Sequence, residues 1–246
     1  MSAIPNSSSF NVSPWPHFTN GQLELLKWIG VVSMFIDHFG RHLFDWSFET
    51  IVFGAGRLAF PLFALVLAYN LTRPGDQAAR AKRIALRLAL ACAVATPAAI
   101  WARGEPMYIN IFGTLGLGTA LCWVFASHSN LLWRFVLCGL VAIASLYVEF
   151  GPIGVGFVAT IFLWQFKPRH ATVALAVIML LALTYYNASL GMVYGLVGTL
   201  AVLPLAWAVT YVPIALPRMP WVFYAVYPAH LALIGALKTF NGILSL

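Results

Sequence analysis

Charge is what this sequence has least of. Only 9% of its 246 residues are charged, 14 Lys or Arg against 7 Asp or Glu, while 61% are hydrophobic and mean hydropathy is +0.86. Soluble domains average roughly 25% charged and 45–50% apolar residues, so a water-soluble globule is excluded and the chain reads as a polytopic membrane protein. Cysteine is scarce too. Cys92, Cys122 and Cys138 lie inside apolar runs without metal-ligand spacing, which argues for small buried hydrophobes over disulfides or a metal site. A soluble domain, a heptad run and an internal repeat are all missing. The net charge of +7 points to orientation in a bilayer and not to nucleic acid, because most of the cations sit in short connections between apolar runs.

Residues 1–20, rich in Ser, Asn and Pro, lack the basic n-region and small-residue cleavage site of a secretory signal. They read as a flexible tail ahead of a single transmembrane domain over 21–246, with the first span kept as an anchor. A hydrocarbon core of roughly 30 Å needs about 20 helical residues. Apolar runs of about that length predict an all-α bundle of about nine spans near 22–43, 51–72, 82–102, 108–127, 131–148, 152–166, 171–187, 191–212 and 221–243, with the join between 185 and 195 the least defined. With the N-terminus cytoplasmic, the inner connections hold Arg73, Arg80, Lys82 and Arg83, with Arg87 one turn on, then Arg134, Lys167, Arg169 and Arg218. The outer ones hold Asp45, Glu49, Arg103, Glu105 and Glu149. Cations inside is the expected asymmetry; an even number of spans breaks it, so the C-terminus is expected outside.

Ionisable groups at bilayer depth are costly unless paired or hydrated, and mark functional sites. Here they favour one side. Asp37, His38 and Arg41 lie in the outer third of the first span, Arg57 near the outer end of the second, Asn110 and Thr114 at the outer start of the fourth, Glu149 at the outer end of the fifth, and His230 near the middle of the ninth. Each also has a plainer reading. Asp37 and Arg41 are spaced for mutual neutralisation along one helix; Arg57 can snorkel to outer headgroups; Arg73 to Arg87 can serve orientation and anionic lipid. Gly113, Gly116 and Gly118 suit close helix packing, and Trp46, Trp101, Tyr108 and Trp221 suit interfacial anchoring. Asp37 and His38 are about 100° apart around their helix and cannot form a side-by-side dyad. Counted from the inner ends, His38 lies roughly 24 Å and His230 roughly 14 Å along their helices. Either the helix starts are staggered, or the two histidines act at different depths.

Leu26-Lys27-Trp28-Ile29, Met34-Phe35-Ile36-Asp37-His38 and Gly56-Arg57-Leu58-Ala59-Phe60-Pro61-Leu62-Phe63-Ala64 together resemble the TraX family of conjugative-transfer inner-membrane proteins. Asn110-Ile111-Phe112 with Thr114, Glu149-Phe150-Gly151 and Tyr227-Pro228-Ala229-His230-Leu231 extend the resemblance over most of the chain from about residue 20. Glu149 stands where Asp is common, and Phe150 where Tyr is. The resemblance implies acetylation of the amino terminus of mature conjugative pilin, with acetyl-CoA as donor, in a bacterial inner membrane. It also implies a distant kinship with multi-span acyltransferases of envelope sugars. On that footing His38 is the expected base, with Asp37 orienting a partner or attracting the ammonium. Arg57 or Asn110 supports the oxyanion, His230 contacts the donor or completes a relay, and Arg41 and Glu149 support the acceptor. Arg73, Arg80, Lys82, Arg83 and Arg87 bind the donor's phosphates, and no metal is expected. Competing expectations are an acyltransferase for an envelope glycan or lipid headgroup, a transporter, and a non-catalytic pilin assembly factor.

Overall fold

The computed structural model describes residues 17–104, 108–127 and 130–244. Residues 1–16 of the expected tail, and Glu105, lie outside the described residues. Residues 17–20 are not part of a loose tail. Phe18 is buried edge-on against Tyr69, whose hydroxyl bonds its backbone, and Thr19 with Gln22 forms a reciprocal capping box that starts the first helix.

The described chain is all-helical, and its helices are α1 (Asn20–Leu43), α2 (Ile51–Gly56), α3 (Ala59–Thr72), α4 (Gln77–Arg103), α5 (Ile111–Ala126), α6 (Leu131–Ser145), α7 (Gly151–Phe166), α8 (His170–Leu200), α9 (Val202–Val209) and α10 (Pro220–Leu244). Among the described residues, four stretches are long and apolar enough to cross a membrane: Ile51–Thr72, Gln77–Arg103, His170–Val209 and Pro220–Phe240. Ile111–Ala126, Leu131–Ser145 and Gly151–Phe166 are shorter apolar helices. The first expected span, α1, is not among the long apolar stretches. Its 24 residues include Glu24, Lys27, Asp37 and Arg41, and both acids are turned inward and buried.

Two of the apolar stretches are interrupted. Between α2 and α3 the helix breaks at Arg57 and Leu58, one turn before Pro61, whose ring and missing N–H oppose a regular helix there. Within α8 the break is a reversal. Gly191 and Met192 leave helical geometry, Met192 with φ 48°. Asn187 Nδ2 then donates to Thr199 Oγ1 at 2.8 Å, although twelve residues of continuous helix would separate them by roughly 18 Å. The stretch expected as two spans with an undefined join is therefore a helical hairpin. Its returning arm packs backbone to backbone on α2, where Gly198 meets Gly54.

Side-chain bonds gather the helix ends at two poles. At one, Arg73 donates to Asn20, Gln22 to the carbonyls of Thr210 and Val212, and Thr72 to Gln165. At the other, Lys238 donates to the Ala102 carbonyl and Trp101 to Thr239, while Ile109 bridges Val148. Residues 211–219 carry no helix. They run beside the first turn of α1, where Gly21 touches the backbone of Leu216 and Gln22 satisfies their entry carbonyls. Most of this segment is exposed, so it runs along the surface of the bundle. It delivers the start of α10 into the bundle.

Candidate active site

His38 and His230 meet. His38 Nδ1 lies 2.7 Å from His230 Nε2, so the difference in helical depth is absorbed by a stagger: the non-helical 211–219 segment starts α10 roughly 12 Å further in than α1, counting 1.5 Å per residue. The bond directions follow from one neighbour. His230 Nδ1 lies 3.1 Å from the Val226 carbonyl, which can only accept, so Nδ1 carries the proton of the neutral ring and Nε2 its lone pair. His38 Nδ1 must then donate to that lone pair. This leaves His38 Nε2 unprotonated, the form that a general base requires. Phe35 stacks on His230 with centroids 4.7 Å apart, and Tyr227 meets both rings edge-on.

The carboxylate beside His38 takes a separate set of partners, as the angle around α1 requires. Asp37 Oδ2 accepts from Arg41 at 2.7 Å and from Arg57 at 2.6 Å. Arg57 does not snorkel. It is buried, lies over the Phe53 ring at 4.2 Å and reaches Asp37 because Gly56, packed on the carboxylate carbon, has no side chain to interfere. Asp37 Oδ1 and Arg57 Nε are enclosed without partners. Glu149 belongs to this neighbourhood, with Arg41, Arg103 and Arg57 as its attracting charges. The backbone carbonyl of Glu149 is held by the Thr114 hydroxyl.

Asn110 is not available to an oxyanion. Both hydrogens of its amide are spent on α4, at the Cys92 carbonyl (3.0 Å) and Thr96 Oγ1 (2.9 Å), and its oxygen caps α5 at Phe112 N. Burial with every bond satisfied is a tie between α4 and α5.

Two cavities share this interior. A small one of about 40 Å³ is lined by Asp37, His38, Arg57, Glu149 and Phe150 among others. A large one of about 600 Å³ runs from Lys27, Arg73, Arg80, Arg87 and Arg218 at one end, past apolar side chains of α1, α3, α4 and α5. Met34, Phe63, Ile111 and Tyr227 line both, so the basic end and the histidines are joined through one continuous wall. Of the five cations expected to hold phosphates, Arg73 and Arg87 fit. Arg80 reaches the cavity too, but its guanidinium is tied to the carbonyls of Leu71, Arg73 and Pro74, closing the end of α3. Lys82 and Arg83 are exposed and line neither cavity. Lys27 and Arg218 replace them. Trp221, expected as an interfacial anchor, lies under Arg87 at 5.2 Å on the cavity rim. Sequence reasoning passed over Lys27 although it stood inside a quoted motif, and it had no means of placing Arg218 at the end of an irregular segment.

The family model described as TraX protein matches residues 22–238. The chain belongs to the TraX family. That match spans every group just described, from Glu24 on the first helix to His230 on the last. No curated protein and no solved structure gives a significant match. TraX membership accords with the several stretches able to cross a membrane, and the chain is a membrane protein.

Proposed function

We propose that this TraX-family chain is an inner-membrane acetyltransferase of nine spans, with its basic pole in the cytoplasm. It takes acetyl from acetyl-CoA there and delivers it to the amino terminus of mature conjugative pilin at the periplasmic pole. Arg73, Arg87, Lys27 and Arg218 bind the phosphates through charge-assisted contacts, and the pantetheine arm lies along the apolar cavity. The thioester reaches the small chamber, where about 40 Å³ suits a two-carbon acyl group. His38 Nε2 takes a proton from the attacking amine, the new C–N bond forms, and negative charge collects on the thioester oxygen. Arg57, fixed by Asp37, offers its free N–H groups to that oxygen. As the intermediate collapses the C–S bond breaks, and the sulfur leaves with the proton held by His38. His230 keeps the His38 ring in its working tautomer throughout.

One observation carries this reading: the Val226 carbonyl, His230 and His38 form a directed chain that ends in a basic nitrogen, on a residue lining a small cavity that shares four wall residues with a larger, cationic-ended one. The experiment is the intact mass of the pilin from cells with the wild-type gene, without it, and with His38→Ala. A gain of one acetyl group with wild type alone is the expected result. Processed pilin of unmodified mass in all three ends the pilin reading. A second acceptor, an envelope glycan or lipid headgroup, would arrive at the same outer pole, where Arg41, Lys238 and Arg103 act on His42 together with the Asp37 carboxylate. Acetyl transfer to such a molecule in the same strains is its test.

A further inference from the structure

The large cavity is not uniformly cationic. Glu24 projects into it from the first turns of α1 and is 2% exposed. One carboxylate oxygen holds Lys27 Nζ at 2.6 Å; the other, Oε2, is enclosed and has no partner. On the same cavity, Asn70 of α3 donates through Nδ2 to the Val66 carbonyl at 2.9 Å. That bond fixes which end of the amide is which, since a carbonyl cannot donate, and it leaves Asn70 Oδ1 as a second enclosed acceptor without a partner. A buried acceptor left empty is costly, and two of them sharing one ligand-sized cavity call for a ligand that supplies donors. Anion binding does not explain them. Acceptors repel phosphate, and a carboxylate among Arg73, Arg87 and Arg218 weakens the very attraction those residues supply.

We propose that Glu24 and Asn70 form a specificity site that reads the N–H and O–H donors of the donor molecule's neutral arm, just inside the point where the rim cations hold its phosphates. This rests on the donor reading given above. Asn70 stands three residues, just under one helical turn, before Arg73, so a ligand anchored at Arg73 places its next few bonds beside the acceptor pair. In coenzyme A that portion is the pantoyl hydroxyl and the first amide N–H. A small rotation about the last side-chain bond of Glu24 turns Oε2 toward them.

The test is calorimetric titration of the full chain in detergent with three probes: coenzyme A, pantetheine (the arm without phosphates) and 3′,5′-ADP (phosphates without the arm). Glu24→Ala and Asn70→Leu are each expected to abolish measurable pantetheine binding. Asn70→Leu should weaken coenzyme A about tenfold, the factor that corresponds to ~1.4 kcal/mol, and leave 3′,5′-ADP unchanged, whereas Glu24→Ala, which also removes a charge that opposes phosphate and frees Lys27, should weaken coenzyme A less and bind 3′,5′-ADP at least as tightly as wild type. Glu24→Gln keeps an acceptor while losing the charge, so it should hold pantetheine as wild type does, and it guards against a folding defect in the alanine variant. Unchanged coenzyme A affinity in both deletions overturns the proposal, as does an equal loss for 3′,5′-ADP. A Glu24→Gln variant as weak as Glu24→Ala assigns the residue to charge balance and overturns it too. If wild type binds neither coenzyme A nor pantetheine, the donor reading falls and takes this one with it.

Discussion

Adjacent residues Asp37 and His38 divide the work of the site by facing different helices. The ion cluster is architectural beside its proposed catalytic role, because removing a buried carboxylate strands the guanidiniums it compensates. Asp37→Ala should therefore lower stability by about 3–5 kcal/mol, visible as a large drop in melting temperature in detergent. His38→Ala removes a neutral ring and should melt close to wild type while turnover falls by roughly 10²–10⁴. Equal destabilisation by the two would place His38 among the structural ties. Asp37, His38, Arg57 and His230 were legible in the sequence because ionisable groups in apolar runs are rare enough to stand out singly. Asn110 stood out for the same reason and misled, since a sequence displays a polar group without showing that its hydrogens are already committed to α4. Glu24 and Asn70 were illegible. At a helix end polar residues are ordinary, and only their empty oxygens set them apart.

At the scale of helices, two interruptions shape the site. The break between α2 and α3 brings Arg57 to Asp37, and it works only because Gly56 lets α1 approach. A β-carbon there would stand 2.6 Å from the Asp37 carboxyl carbon. Gly56→Ala should cost about 1–3 kcal/mol through overpacking and depress acetyl transfer, whereas Gly139→Ala on α6, where an added β-carbon meets nothing, should leave both unchanged. Gly54, Gly56 and Pro61 flank the break, residue types that allow close helix packing or oppose a regular helix. The α8 hairpin was half visible, because the lengths on either side implied two passes while the turn itself lacks Pro and the usual run of small polar residues. Gly191 makes it, against the Phe48 backbone. The 211–219 segment falls in the connection expected between 212 and 221, but its course beside the first turn of α1 was not visible. With it went the stagger of α10.

For the whole molecule, the two poles make orientation testable. Single cysteines replacing Gly75 and Pro168 near the Arg73 pole should be blocked by a membrane-impermeant maleimide only after the inner membrane is opened, and one replacing Ser47 at the opposite pole should react in intact spheroplasts. The reverse pattern would invert the proposed direction of transfer. The order of the helices was readable from apolar run length, a local quantity. The large cavity was not, because its walls are drawn from five helices and one irregular segment.

The bond between His38 and His230 joins residues 192 apart, one on the first helix and one on the last. A ribosome inserting this chain delivers the His38 imidazole 192 residues before its partner. Until α10 enters, His38 has nothing to fix its tautomer, and the cavity lacks Trp221, Phe223, Tyr224 and Tyr227 from its wall. On the proposed mechanism, a chain whose α10 has not yet entered would be inert toward thioesters, and docking of that helix is the step that creates the reactive centre.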